Sequence, residues 1–203
     1  MRTSRRGTSS NRGSVLVLLM CCIPILGWTG ARVYNSIFFN KDCGGYLKRA
    51  ADANQVDIAK KQLKLVVDYL EAHNLTQGYT SLVYNTPDED IAFWYENLRA
   101  ALDELQKVNE ETSQLERSNV LMKLKETLLD DTGNGVSITK PSGIEVYPHN
   151  MFFAVFGIFG LLMVGVAGYL LLTGNCSVNA IEIMIIFAIL VILTVVMVGA
   201  GGV

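Results

Sequence analysis

The chain has 203 residues, half of them apolar, and its 17 Lys/Arg nearly balance 19 Asp/Glu for a formal net charge of −2. The apolar residues are concentrated: no Lys or Arg follows Lys140, and from residue 181 onward the only charge is Glu182. That distribution excludes a wholly soluble globular protein, and basic residues scattered among acids argue against a nucleic-acid partner.

Residues 1–13 form a basic tail holding Arg2, Arg5, Arg6 and Arg12 without an acid. An apolar stretch follows at residues 14–31 (SVLVLLMCCIPILGWTGA). Signal peptides and signal anchors share this layout, and Thr29 and Ala31 are small enough for a cleavage site. Pro24 inside the stretch, Trp28 near its end and the largely apolar continuation to Phe39 favour an uncleaved anchor over residues 14–39. Positive residues beside a membrane segment tend to stay cytoplasmic, so the tail is expected inside a plasma or inner membrane and residues 40–147 outside it.

The stretch between the flanking apolar segments, residues 32–150, holds the remaining 13 basic residues and 18 of the acids, with length enough for one compact domain. Its periodicity is helical. Over residues 45–73, Val56, Ala59, Leu63, Val66 and Leu70 recur in alternating steps of three and four, the spacing of a coiled-coil seam, with charges on the other faces. Thr86-Pro87-Asp88-Glu89 reads as the start of a second helix, with a capping hydroxyl, a proline in the first turn and a glutamate three residues after the cap. Ile91, Trp94, Leu98, Ala101, Leu105 and Val108 continue its stripe. A break is expected near residues 109–113, because Ser113 and Glu116 form a second capping box, and a third helix then runs to the turn signal at residues 131–135. The expected product is an antiparallel helical bundle of three main helices.

Residues 136–139 and 144–147 each alternate apolar with polar side chains, and Lys140-Pro141-Ser142-Gly143 between them suits a turn. This predicts a small β-hairpin packed on the bundle, against residues 79–84 (YTSLVY). Beyond it, residues 151–173 carry no charge and as a helix span about 34 Å, enough for a hydrocarbon core of roughly 30 Å. Residues 180–200 follow after a short loop and are expected to return through the membrane as the second leg of a hairpin. The fold expected is thus a mainly α integral membrane protein with three transmembrane helices, an extracytoplasmic bundle and a β-hairpin.

Chemistry is sparse. His73 and His149 sit at ligand spacing from no other histidine or cysteine, so zinc is poorly supported. The run Asp130 to Gly135 imitates the start of a calcium loop, but the twelfth position is Pro141 where a bidentate glutamate is needed. Phosphate-binding, nucleophile-elbow and metalloprotease motifs are missing from the sequence. No catalytic residue, cofactor or metal is therefore assigned.

Four features remain. Phe93, Trp94 and Tyr95 are consecutive on a helix and point about 100° apart, so one core stripe cannot take all three and one is expected to reach another element or a partner. Glu182 stands near the start of the last span, as an interfacial or intramembrane acid. Gly157, Gly160, Gly165 and Gly168 permit close helix approach, expected within the closing hairpin. Cys43 shares its compartment with no other cysteine, since Cys21 and Cys22 lie in the first span and Cys176 in the short loop. It is either a small buried residue, the favoured reading, or the site of an intermolecular disulfide. Together these imply a membrane-anchored, non-enzymatic interaction or assembly protein that binds a protein partner or itself. The alternatives are a ligand-sensing input subunit of a receptor and an accessory subunit of a transporter or channel.

Overall fold

The computed structural model describes residues 9–131, 133 and 135–173. The expected span at residues 180–200, Glu182 and Cys176 lie outside them. The elements in order are α1 (Ser9–Phe39), a π-helical turn (Asn40–Gly44), α2 (Gly45–Ala51), α3 (Val56–Ala72), a 3₁₀ turn (Pro87–Glu89), α4 (Ile91–Lys107), α5 (Gln114–Leu128), β1 (Leu129–Asp131), β2 (Val136–Ile138), a 3₁₀ turn (Ile144–Val146) and α6 (Asn150–Thr173). The protein is mainly helical with one small antiparallel sheet. It divides into two compact units, Met1–Ala31 with Met151–Val203, and Arg32–Asn150.

In the first unit, α1 continues through Pro24 without interruption. Asn150–Tyr169 of α6 has a mean hydropathy of 2.3 and is, among the described residues, the one helix long and apolar enough to cross a membrane. The two helices meet where α6 has no side chain. A methyl group at Gly157 would stand 2.8 Å from the Trp28 ring, and one at Gly160 would touch Ile25 at 3.4 Å. The Trp28 indole N–H donates to the Phe153 carbonyl at 2.6 Å. In a helix that carbonyl points toward residue 157, so the missing side chain there leaves it open to the indole. Gly157 and Gly160 thus serve a contact with α1, while the second leg of the hairpin expected for them lies outside the described residues.

The second unit is the helical bundle. The stripe read from the sequence is its centre: Ala59, Leu63, Val66 and Leu70 of α3 are fully buried, joined by Leu47 and Ala50 of α2, Ile91, Leu98 and Leu105 of α4, and Leu124 and Leu128 of α5. The expected single helix over residues 45–73 is in fact two. Stepping on from Ala51 by three or four residues reaches Asn54 and Gln55, so an unbroken helix would turn amides into the core. The chain instead ends α2 at Asp52, whose N–H bonds the Lys48 carbonyl, and folds α2 back against α3.

The second helix also starts later than its sequence signal. Residues 87–89 form a 3₁₀ turn, in which the Thr86 hydroxyl donates to Glu89 Oε2 at 2.5 Å, and the cap of α4 is Asp90. Asp90 Oδ1 accepts the N–H groups of Ala92 and Phe93 at 2.9 and 3.2 Å. A carboxylate satisfies two free amides and faces the positive end of the helix dipole, which a threonine hydroxyl cannot match. The expected break does occur: α4 ends at Lys107, and Ser113 caps α5 by accepting the Glu116 N–H at 3.2 Å. Arg117 locks the intervening turn by donating to the carbonyls of Asn109, Glu110 and Thr112.

The hairpin uses a different partner from the one expected. β2 keeps Val136–Ile138, but it pairs backward with β1, in the register Leu129↔Ile138, Asp130↔Ser137 and Asp131↔Val136. Gly133 and Gly135 take positive φ in the connecting loop, as tight hairpin turns require. Residues 144–146 form a 3₁₀ turn that buries both Ile144 and Val146. The stretch at residues 79–84 does not pack on the hairpin through strand pairing either. Tyr79 forms a single antiparallel bridge with Asp90, and the Ile91 N–H bonds the Gly78 carbonyl.

Candidate functional site

The three consecutive aromatics have three separate fates. Trp94 is buried, and its indole N–H donates to the Thr139 carbonyl at 2.9 Å, tying α4 to the end of β2. Tyr95 is buried on the next face, where its hydroxyl donates to Glu71 Oε1 at 2.6 Å and its ring lies 5.9 Å below the Arg99 guanidinium. Burial and the Glu71 bond both hold the Tyr95 hydroxyl in its protonated form, raising its pKa. Phe93 is the residue left over: it is 61% exposed. The helical spacing required one such residue, and the structure identifies which.

Phe93 borders a cleft of about 230 Å³ shared with Trp94, Asn97, Asp130, Thr139 and Lys140. Its walls are α4 and the β2 end, fixed to each other by the Trp94 bond. The cleft combines an aromatic edge with the carboxylates of Asp88, Asp90 and Asp130 and one ammonium. Lys140 is held in place: its Nζ lies 3.5 Å from Glu145 Oε2 and 4.9 Å from the centre of the Phe39 ring. Neither Lys140 nor Glu145 stood out in the sequence, because the pair is separated by a turn whose course the strand pattern misread.

Cys43 lies in the π-helical turn and is fully enclosed in the core. Burial pushes its thiol up to about 12, against the smaller opposing pull of Lys140. A sulfur so enclosed reaches a second copy only if the bundle opens. His73 ends α3 and stacks on Tyr69 with ring centres 4.1 Å apart, its Nδ1 2.8 Å from the Tyr69 carbonyl. His149 follows the second 3₁₀ turn, its backbone N–H bonded to Val146. Among the described residues no group of three or more His, Cys, Asp or Glu is placed to hold a metal. Asp130, from the calcium-like run, sits in β1 opposite Ser137. Comparison with known proteins finds no matching family model, no matching curated protein and no matching solved structure.

Proposed function

We propose that this chain is a membrane-anchored interaction or assembly protein without catalytic activity, which presents its helical bundle to a protein partner or to a second copy. In this reading residues 14–39, 151–173 and 180–200 cross the membrane, the basic tail is cytoplasmic and residues 40–147 are extracytoplasmic. The outward apolar side chains of both described membrane-unit helices support it: Leu19, Ile23 and Leu26 on α1, and Val155, Ile158 and Leu161 on α6, are all exposed. Such surfaces suit lipid and not water.

The observation that carries the binding role is the exposure of Phe93 beside two tightly held aromatics. Trp94 and Tyr95 fix the helix so that the Phe93 ring projects from a rigid support, as binding anchors do. The cleft beside it is smaller than the roughly 300–1,000 Å³ typical of small-molecule sites, and suits a side chain of a partner better than a free ligand. The test is gentle detergent extraction of the full chain with cross-linking and mass determination, comparing wild type with Phe93→Ala. The expected result is a complex that Phe93→Ala weakens by about tenfold or more. A lone monomer that captures no protein would overturn the reading.

A further inference from the structure

Residues 74–86 carry no charge, in a unit otherwise dense with acids and bases. Leu75 is buried in the core, but the apolar members from Tyr79 to Tyr84 are not folded inward. Val83 is 87% exposed and Tyr84 75%, with Leu82 and Tyr79 also open. Ser81 Oγ reaches Asn85 Oδ1 across the base of this tip at 3.5 Å, so Leu82, Val83 and Tyr84 project together.

The loop is anchored close to the start of α6. The Tyr147 hydroxyl donates to the Gln77 carbonyl at 3.1 Å, and the Tyr147 ring fits against Gly78, whose φ of +103° turns the chain there. Leu82, Val83 and Tyr84 flank Lys140 and Ser142 across a shallow groove. The next residue, Gly143, accepts a hydrogen bond at 2.9 Å from the amide of Asn150, which begins the helix able to span a membrane. The uncharged tip is therefore tied, through contacts inside one unit, to the residues that lead directly into that helix.

We infer that residues 79–84 form a membrane-interface finger, in which Leu82 and Val83 enter the headgroup–acyl boundary while Tyr79 and Tyr84 sit at headgroup level. This rests on the proposal that α6 spans the bilayer. Tyrosine is favoured at that depth because its ring is apolar and its hydroxyl stays hydrated, and a segment without charge enters at no electrostatic cost. The charged neighbours are Asp88, Glu89 and Lys140, an acidic surplus, so the finger takes zwitterionic phosphatidylcholine and has no need of anionic lipid. Its role is to fix the bundle at a set height and tilt on the surface, complementing the attachment at α6.

The test uses the full chain in phosphatidylcholine nanodiscs, with a photo-cross-linking benzophenone side chain placed singly at Val83, Tyr84, Val155 or Leu115, and adducts identified by mass. All four positions are exposed, so the fold is kept. Leu115, exposed in the first turn of α5, is the control outside the finger. Lipid adducts at Val83, Tyr84 and Val155, with their loss at Leu115, are expected. A lipid adduct at Val155 with none at Val83 or Tyr84, or an adduct there to a second protein chain, overturns the finger while leaving the span intact. No lipid adduct at Val155 overturns the span, and the finger with it.

Discussion

Alkylating the cysteines of the full chain at pH 8 puts the interior of the bundle to a quantitative test. Cys43 is 0% exposed, and burial moves its thiol from 9.0 to about 12. Between those values the thiolate fraction at pH 8 falls from about one in ten to about one in ten thousand, and only the thiolate reacts. Labelling of folded protein by N-ethylmaleimide should therefore run about a thousandfold slower at Cys43 than at an unfolded thiol, before steric shielding is counted. A time course with and without guanidinium, read cysteine by cysteine from peptide masses, supplies the ratio. A rate within about tenfold of the denatured one would refute the enclosed placement. For the same reason, mild oxidant should produce no dimer through Cys43 while the bundle is folded.

The same burial sets a pH dependence. The folded state holds the Cys43 proton more tightly than the unfolded chain does, so this group's contribution to stability is complete below pH 9 and is lost as pH rises toward 12. The gap corresponds to at most about 4 kcal/mol. Tyr69 and Tyr95, whose hydroxyls burial also pushes up, act in the same direction. Denaturant midpoints measured from pH 8 to 11 should fall for the wild type and fall less steeply for Cys43→Ala, a comparison that isolates the thiol.

Further substitutions test the local geometry. Asp90→Ala, which removes the cap of α4, should cost about 1 kcal/mol in a denaturant titration, and Thr86→Ala should cost less because its hydroxyl caps no helix amide. Gly78→Ala combines a left-handed φ of +103° with a methyl group placed on the Tyr147 hydroxyl, so a loss of about 1–3 kcal/mol is expected. Adding Tyr147→Phe should recover part of that loss. Gly157→Leu should displace the Trp28 ring and break its bond to Phe153, lowering resistance to SDS-induced unfolding by about 1–3 kcal/mol, with a change in Trp28 fluorescence.

Features governed by local physics were legible in the sequence. The stripe from Ala59 to Leu70, the break before Ser113 and the surplus aromatic at residues 93–95 each follow from helical spacing or cap chemistry, and each has its counterpart in the structure. The start of α4 was displaced because two capping signals lie side by side, and the stronger hydrogen-bond acceptor, Asp90, wins over Thr86. The division between α2 and α3 needed a negative observation: the core stripe has no apolar residue to continue with at Asn54 and Gln55.

The hairpin shows where local reading must stop. Residues 136–139 and 144–147 both alternate, and alternation is satisfied equally by a strand and by a turn that buries Ile144 and Val146 from one side. What decides between them is the backbone of Thr139. Its N–H is taken by the Leu128 carbonyl and its carbonyl by the indole of Trp94, 45 residues earlier in the chain. With its N–H committed to Leu128, Thr139 has no donor left with which to open a ladder toward residue 144. The aromatic that takes its carbonyl locks the sheet to α4. The same bond fixes two walls of the cleft that Phe93 borders.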